Sequence, residues 1–191
     1  MSDTPRLIPI LQTARLRLRA PSLADFPASL AMWSNPDVTR FIGGRPNSKE
    51  EVWGRLLRYI GHWQAIGYGY WIIESAADGA AIGEAGLGDY RRDISPPFDG
   101  VPEIGWVLTP HASGKGIATE AASAILAWRD SALPPGPTMC LMDLANAASL
   151  RVATKLGFHI IAESQRRGEA TLILRRDRPE HSDLRGPRTA V

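Results

Sequence analysis

The run "RLRLRA" at 15–20 alternates charged and apolar positions, the period of a strand with one buried face, and predicts the first strand. The spacing then becomes helical. In "PSLADFPASLAMWSN", Leu23, Phe26, Leu30 and Trp33 fall on one side, Ser22 serves as N-cap, and Pro27 comes early enough for its missing N–H to matter little. "GGRPNS" breaks the pattern. A second helix follows in "SKEEVWGRLLRYIGHWQAIG", where Ser48 and Glu51 have capping-box spacing and Val52, Leu56, Tyr59, Ile60 and Trp63 make an apolar stripe. "YGYWIIE" and "AIGEAGLGDY" are predicted strands joined by "SAADGA", whose Asp-Gly marks a hairpin, so they are expected to run antiparallel. "RRDISPPFDGVP" is too rich in Pro and Gly for regular structure and leads to the strand "EIGWVLTP" at 103–110.

The next stretch, "HASGKGIATEAASAILAW" (111–128), opens on a tight Gly-Lys-Gly and becomes a helix with Ile117, Ala121, Ala124, Ile125 and Trp128 on its apolar face. A strand "TMCLMDL" and a helix "NAASLRVATKLG" follow, the helix burying Leu150, Ala153 and Leu156 and ending at Gly157. Two short strands, "FHIIAES" and "EATLILR", complete the pattern, while the polar, apolar-period-free "RDRPEHSDLRGPRTAV" (176–191) reads as a flexible tail. The element order predicts one mixed α/β domain over 1–175, with helices flanking a mostly antiparallel central sheet. It does not show the regular alternation of a doubly wound dinucleotide fold.

Composition narrows the function. A chain of 191 residues suits one domain, and a net charge of +2, with Lys and Arg scattered, gives no electrostatic case for nucleic-acid or membrane binding. Cys140 is the sole cysteine, so no intramolecular disulfide can form, and its apolar surroundings predict a small buried hydrophobe rather than a nucleophile. No run approaches the roughly 18 apolar residues of a membrane span, and "MSDTPRLIPI" lacks the layout of a signal peptide. A cytoplasmic protein is expected.

Gly114 and Gly116 before a helix suggest a phosphate cradle, because unpaired first-turn amides and the positive end of the helix dipole favour an anion. A triphosphate loop does not fit: Thr109 stands where its first glycine belongs, and Gly116 replaces the hydroxyl residue after Lys115. A dinucleotide fingerprint fits poorly, since its third glycine is Thr119. Taken alone, the glycines could equally form an ordinary tight turn.

With its neighbours, the stretch resembles the GNAT superfamily of N-acetyltransferases. "HASGKG" matches the family's pyrophosphate motif, Gln or Arg, two residues, Gly, any residue, Gly or Ala, except that His111 replaces the first letter. "EIGWVLTP" ahead of it and "NAASLRVATKLGF" after it are similar to the branch that includes ribosomal-protein-alanine N-acetyltransferases, and the resemblance spans about 13–175. It implies an acetyltransferase using acetyl-CoA and no metal, with a small molecule or a protein N-terminus supplying the amine. It also implies roles: backbone pairing of Trp106, Val107 and Leu108 with the pantetheine arm, and pyrophosphate binding along Ala112, Ser113, Gly114, Lys115, Gly116, Ile117, Ala118 and Thr119. Asn146 would reach the pantetheine, while His111, Lys115 and Arg151 could approach coenzyme phosphates.

Amide formation from a thioester needs a neutral amine, a stabilised oxyanion and a protonated thiolate. By the resemblance, Val107 or Leu108 N–H faces the thioester oxygen. By strand alternation Glu103 shares a face with Gly105 and Val107 and is the candidate base, acting through water, with Glu84 and Asp89 as rivals. Ala153 occupies the position where many family members carry a tyrosine acid, which leaves Ser149 or water to protonate the thiolate. Asn146 and Ser149 equally suit helix capping. The alternative reading is a non-catalytic acyl-CoA-binding module, and monomer and homodimer both stay open.

Overall fold

The computed structural model of the protein describes residues 7–166 and 168–178. Most of the predicted tail, from residue 179, lies outside these. The elements in chain order are β1 (Leu11–Gln12), β2 (Leu16–Arg19), α1 (Phe26–Trp33), α2 (Pro36–Thr39), α3 (Lys49–Ile66), β3 (Tyr70–Ser75), β4 (Ala81–Gly88) and β5 (Glu103–Leu108). They continue with α4 (Ile117–Ala132), β6 (Thr138–Asp143), α5 (Ala147–Lys155), β7 (His159–Arg166) and β8 (Glu169–Arg176). The strands form one eight-stranded sheet in the order β1-β2-β3-β4-β5-β6-β8-β7. All neighbours are antiparallel except β5 and β6, which are parallel. This is the mixed, mostly antiparallel α/β fold expected.

Four details differ from the sequence pattern. The short β1 pairs Leu11 with Leu18 and was too brief to carry a period. Ser22 opens a 3-10 turn, Leu23–Asp25, rather than the α-helix itself, and Leu23 is 55% exposed. The turn exists because the Asp25 carboxylate accepts from the Ser22 N–H (2.7 Å) and is gripped by Arg19 (2.6 and 2.9 Å). Between the two predicted helices, Asn35 accepts from the Asp37 N–H and starts the one-turn α2. Finally, β8 runs one residue past the expected domain limit, and Arg176 ion-pairs with Asp130 at 2.8 Å.

The predicted capping signals hold elsewhere. Ser48 accepts from the Glu51 N–H while Glu51 accepts from the Ser48 N–H, and Val52, Leu56, Tyr59 and Trp63 are buried along α3. On one face of the sheet, Ile117, Ala121 and Ile125 of α4 pack on Ala85, Leu87 and Ile104. On the other, Met32 and Trp33 of α1 and Val52 of α3 pack on Val107. Trp63, at the end of α3, reaches the α4 side and meets Trp71 and Trp128 edge-on. Burial of such aromatic surface contributes roughly 25 cal/mol per Å² and fixes both helices against the strands.

Candidate active site

The two central strands part company. β5 is paired with β4 along its whole length, from Glu103↔Gly88 to Leu108↔Gly83. Against β6 it is paired only at Glu103↔Met139 and Ile104↔Cys140. Among the described residues no strand lies along its second edge from Gly105 to Leu108. Because the Thr109 N–H donates to the Ile82 carbonyl, the Gly105 and Val107 backbone groups face β4 by alternation, so of the three expected pantetheine partners Trp106 and Leu108 can pair with an extended arm laid into the gap and Val107 cannot. Cys140 lies at the closed end, where burial, with the Glu103 charge, pushes its thiol well above the ordinary range. It is the inert buried residue expected.

Beyond β5, Pro110–Ala112 forms a 3-10 turn, Ser113 to Gly116 are exposed, and α4 begins at Ile117. Gly114 and Gly116 both take left-handed backbone angles (φ +75° and +79°), which strain any residue with a β-carbon. The Ala112 and Ser113 N–H groups donate back to the Thr109 and Pro110 carbonyls, and the exposed loop after them ends at helical amides with no intrahelical partners, those of Ile117, Ala118 and Thr119 among them. His111 turns back to Thr109, its Nε2 3.3 Å from the hydroxyl. Lys115 and Arg151 are exposed.

Asn146 caps α5, its Oδ1 accepting from the Ser149 N–H at 3.0 Å. Capping uses the amide oxygen and leaves the amide NH2 for another task. Ala153 is completely buried against the α4-side core, and no phenol reaches the gap from α5.

The three acidic candidates sit in different surroundings. Glu103 is 6% exposed and held by Arg92, whose Nε and Nη2 lie 2.5 and 2.6 Å from its two oxygens. Glu84, 2% exposed, faces Val107 across β4 and β5 and accepts from Ser29 Oγ (2.6 Å) and Trp33 Nε1 (2.8 Å). Burial raises the Glu84 pKa against the effect of those donors and of Arg55, which lies 3.6 Å over the Trp33 ring. Asp89 is tied to Arg91 at 2.9 Å.

Sequence reasoning missed Tyr70, Tyr90 and Arg92. Tyr70, Gly86 and Gly105 lie in one row across three strands, and the phenol crosses the sheet face to end over Gly105. A β-carbon on Gly88 would likewise run into the Tyr90 ring. Tyr59 stacks on Tyr70 at 4.2 Å, and Arg92 lies over Tyr90 at 4.5 Å. Burial raises both phenol pKa values, so each is a neutral donor at neutral pH. The signal was present in glycines spaced to share a strand face, which mark where another group approaches closely.

Comparison with known proteins agrees with this geometry. Residues 15–159 match the family described as acetyltransferase (GNAT) domain. YoaA of Bacillus subtilis, an uncharacterized N-acetyltransferase, is 29% identical over 157 residues, covering 80% of this chain and 84% of its own. A Bordetella pertussis structure assigned to the GnaT family is 33% identical with a TM-score of 0.80, covering 88% of this chain and 99% of that one. An acetyltransferase from Agrobacterium tumefaciens C58 follows at 29% and 0.76, covering 92% and 98%. A parted pair of central strands, a glycine loop at the head of the helix between them, and a match across most of the chain have one common explanation: this protein belongs to the GNAT acetyltransferase family.

Proposed function

We propose that the protein transfers the acetyl group of acetyl-CoA to a primary amine, on a small molecule or a protein N-terminus. The observation that carries this reading is the continuity between the open edge of β5 and the left-handed glycine loop at the head of α4. A strand-like arm with a diphosphate at its end fits both together. The fold likeness to Salmonella typhimurium YncA, whose structure holds its cofactor acetyl-CoA, supports the choice of coenzyme (22% identity, TM-score 0.66). Among the described residues no helix is long and apolar enough to cross a membrane. We place the reaction in the cytoplasm, where the lone, buried Cys140 would stay reduced.

The coenzyme supplies an acetyl group activated as a thioester. The backbone of Trp106 and Leu108 holds the pantetheine arm, and the amides from Gly114 to Thr119 hold the diphosphate, aided by Lys115, Arg151 and His111, since the Ala112 and Ser113 N–H groups already donate to Thr109 and Pro110. The Leu108 N–H stabilises the developing oxyanion, a contact that strengthens as charge builds there. Glu103 accepts the ammonium proton through a water, using the lone pairs that Arg92 does not occupy. Ser149 donates to the leaving sulfur, and the free amide NH2 of Asn146 binds the pantetheine.

The test is thiol release from acetyl-CoA with a panel of small amines and N-terminal peptides. Peptides belong in the panel because the ribosomal-protein-S5-alanine acetyltransferase of Vibrio fischeri shares the fold (17% identity, TM-score 0.71). A second reading, a coenzyme-binding module without catalysis, is favoured by the double Arg92 grip on Glu103 and by buried Ala153. Tight acetyl-CoA binding with no turnover on any amine would select it. Thermal stabilisation by ATP but not by acetyl-CoA would sink both.

A further inference from the structure

Arg15, just ahead of β2, is fastened to the loop that opens α4. Its Nη1 donates to the Lys115 carbonyl at 2.9 Å. Its Nε and Nη2 lie 2.7 and 2.6 Å from Glu120 Oε2, and its own backbone N–H donates to Glu120 Oε1 at 3.0 Å. Thr13 adds its hydroxyl to Oε1 at 2.6 Å. The N-terminal edge of the sheet thus grips the glycine loop and the first turn of α4 through one guanidinium.

This grip has two consequences. The Lys115 C=O and the Gly116 N–H are opposite ends of one trans peptide, so a carbonyl turned toward Arg15 turns the amide away from it. Gly116 then proceeds into α4 with φ +79°, and a β-carbon there would touch Arg15 Nη2 at 3.5 Å. The second consequence is electrostatic. Glu120 lies in the first turn of α4, where an unpaired carboxylate would oppose any anion held at the helix N-terminus. Three bonds from Arg15 and one from Thr13 occupy that charge.

We infer that Arg15 is a positioning residue for the coenzyme diphosphate: it sets the Lys115–Gly116 peptide and neutralises Glu120, without touching the phosphates. This rests on the reading that the glycine loop holds a diphosphate. The role is one that neither the glycine motif nor its neighbours expose, because Arg15 lies a hundred residues away in the chain.

The experiment compares the full chain with Arg15→Ala, Arg15→Lys and Glu120→Gln, measuring by calorimetry the affinity for acetyl-CoA and for S-acetylpantetheine, which lacks the diphosphate. In Arg15→Ala the ratio of the two affinities is expected to fall about tenfold, the size of one charge-assisted hydrogen bond. Arg15→Lys keeps the charge but cannot span both Glu120 and the Lys115 carbonyl, so it recovers only part of the ratio. Glu120→Gln lowers the ratio less than Arg15→Ala. An unchanged ratio in Arg15→Ala, or equal losses for both ligands, overturns the inference. Should Arg15→Ala not fold, Arg15→Lys decides in its place: a reduced ratio supports the role and an unchanged one overturns it. If the unaltered protein binds both ligands equally, the diphosphate reading itself is what fails.

Discussion

The phenol oxygen of Tyr70 occupies the space above Gly105 where any other residue would carry its β-carbon. This joins β3 to the point where β5 leaves β6, and so links the α3-side core to the opening of the gap. Gly105→Ala is expected to cost about 1–3 kcal/mol, because the Tyr70 ring is stacked on Tyr59 and has no free direction to move. Tyr70→Phe in the same chain removes the clashing oxygen and restores part of the loss. Urea unfolding of the two single variants and the double variant checks this; additive losses would count against the clash.

Two buried carboxylates should give stability opposite pH dependences. Burial raises Glu84 above its ordinary 4.5, so folding disfavours its ionisation: its contribution is fully present below 4.5 and is lost as pH rises through the folded value. Glu84→Gln should therefore gain on the unaltered protein as pH rises above 4.5. Asp25 is the reverse. Burial opposes its charge, but Arg19 and the Ser22 N–H outweigh burial and hold it below 3.8. Its contribution is present above 3.8 and lost as pH falls through the folded value, so the deficit of Asp25→Asn closes in acid. Denaturant midpoints across the pH range measure both, and a parallel trend in the two variants would refute the assignment.

Glu103→Gln tests the base. It is expected to lower kcat by about a hundredfold, the usual scale of general-base catalysis, while acetyl-CoA affinity is retained. Gln can still accept one hydrogen bond from Arg92, so the fold should survive. A kcat within a factor of about three of the unaltered enzyme would move the role to Glu84, Asp89 or solvent.

Asn146 has an oxygen engaged as a helix cap and an NH2 proposed for the pantetheine. Asn146→Asp keeps an N-cap acceptor and removes the donor, so stability should hold while the KM for acetyl-CoA rises about fivefold. Asn146→Ala should add a stability loss of about 1 kcal/mol. Unchanged KM in both variants would leave Asn146 as a cap alone.

Local pattern was enough for most elements. The α3 stripe, its Ser48–Glu51 cap, the Asp-Gly hairpin and the left-handed glycines of the loop depend on residues a few positions apart, so composition and spacing expose them. The Arg15–Glu120 clamp and the Tyr70 hydroxyl over Gly105 did not show, since their partners lie far apart in the chain and meet only through strand order, and the Arg92–Glu103 pair did not show because the path of an irregular loop brings Arg92 back to the start of β5. Ser22 and Leu23 misled for a related reason: a cap and an apolar letter do not say whether the first turn is tightened by an acidic partner such as Asp25.

The sequence by itself determined the mixed α/β element order, the glycine loop before α4 and its likeness to a pyrophosphate cradle, because backbone angles and helix amides follow from local residue types. Tertiary structure alone decided that β5 and β6 separate after Ile104, and that Glu103 is gripped by Arg92 while Glu84 is sealed behind Ser29 and Trp33. Those outcomes depend on register and burial. A carboxylate's chemistry is set by the charges and donors that the fold brings to it, and no run of neighbouring letters contains them.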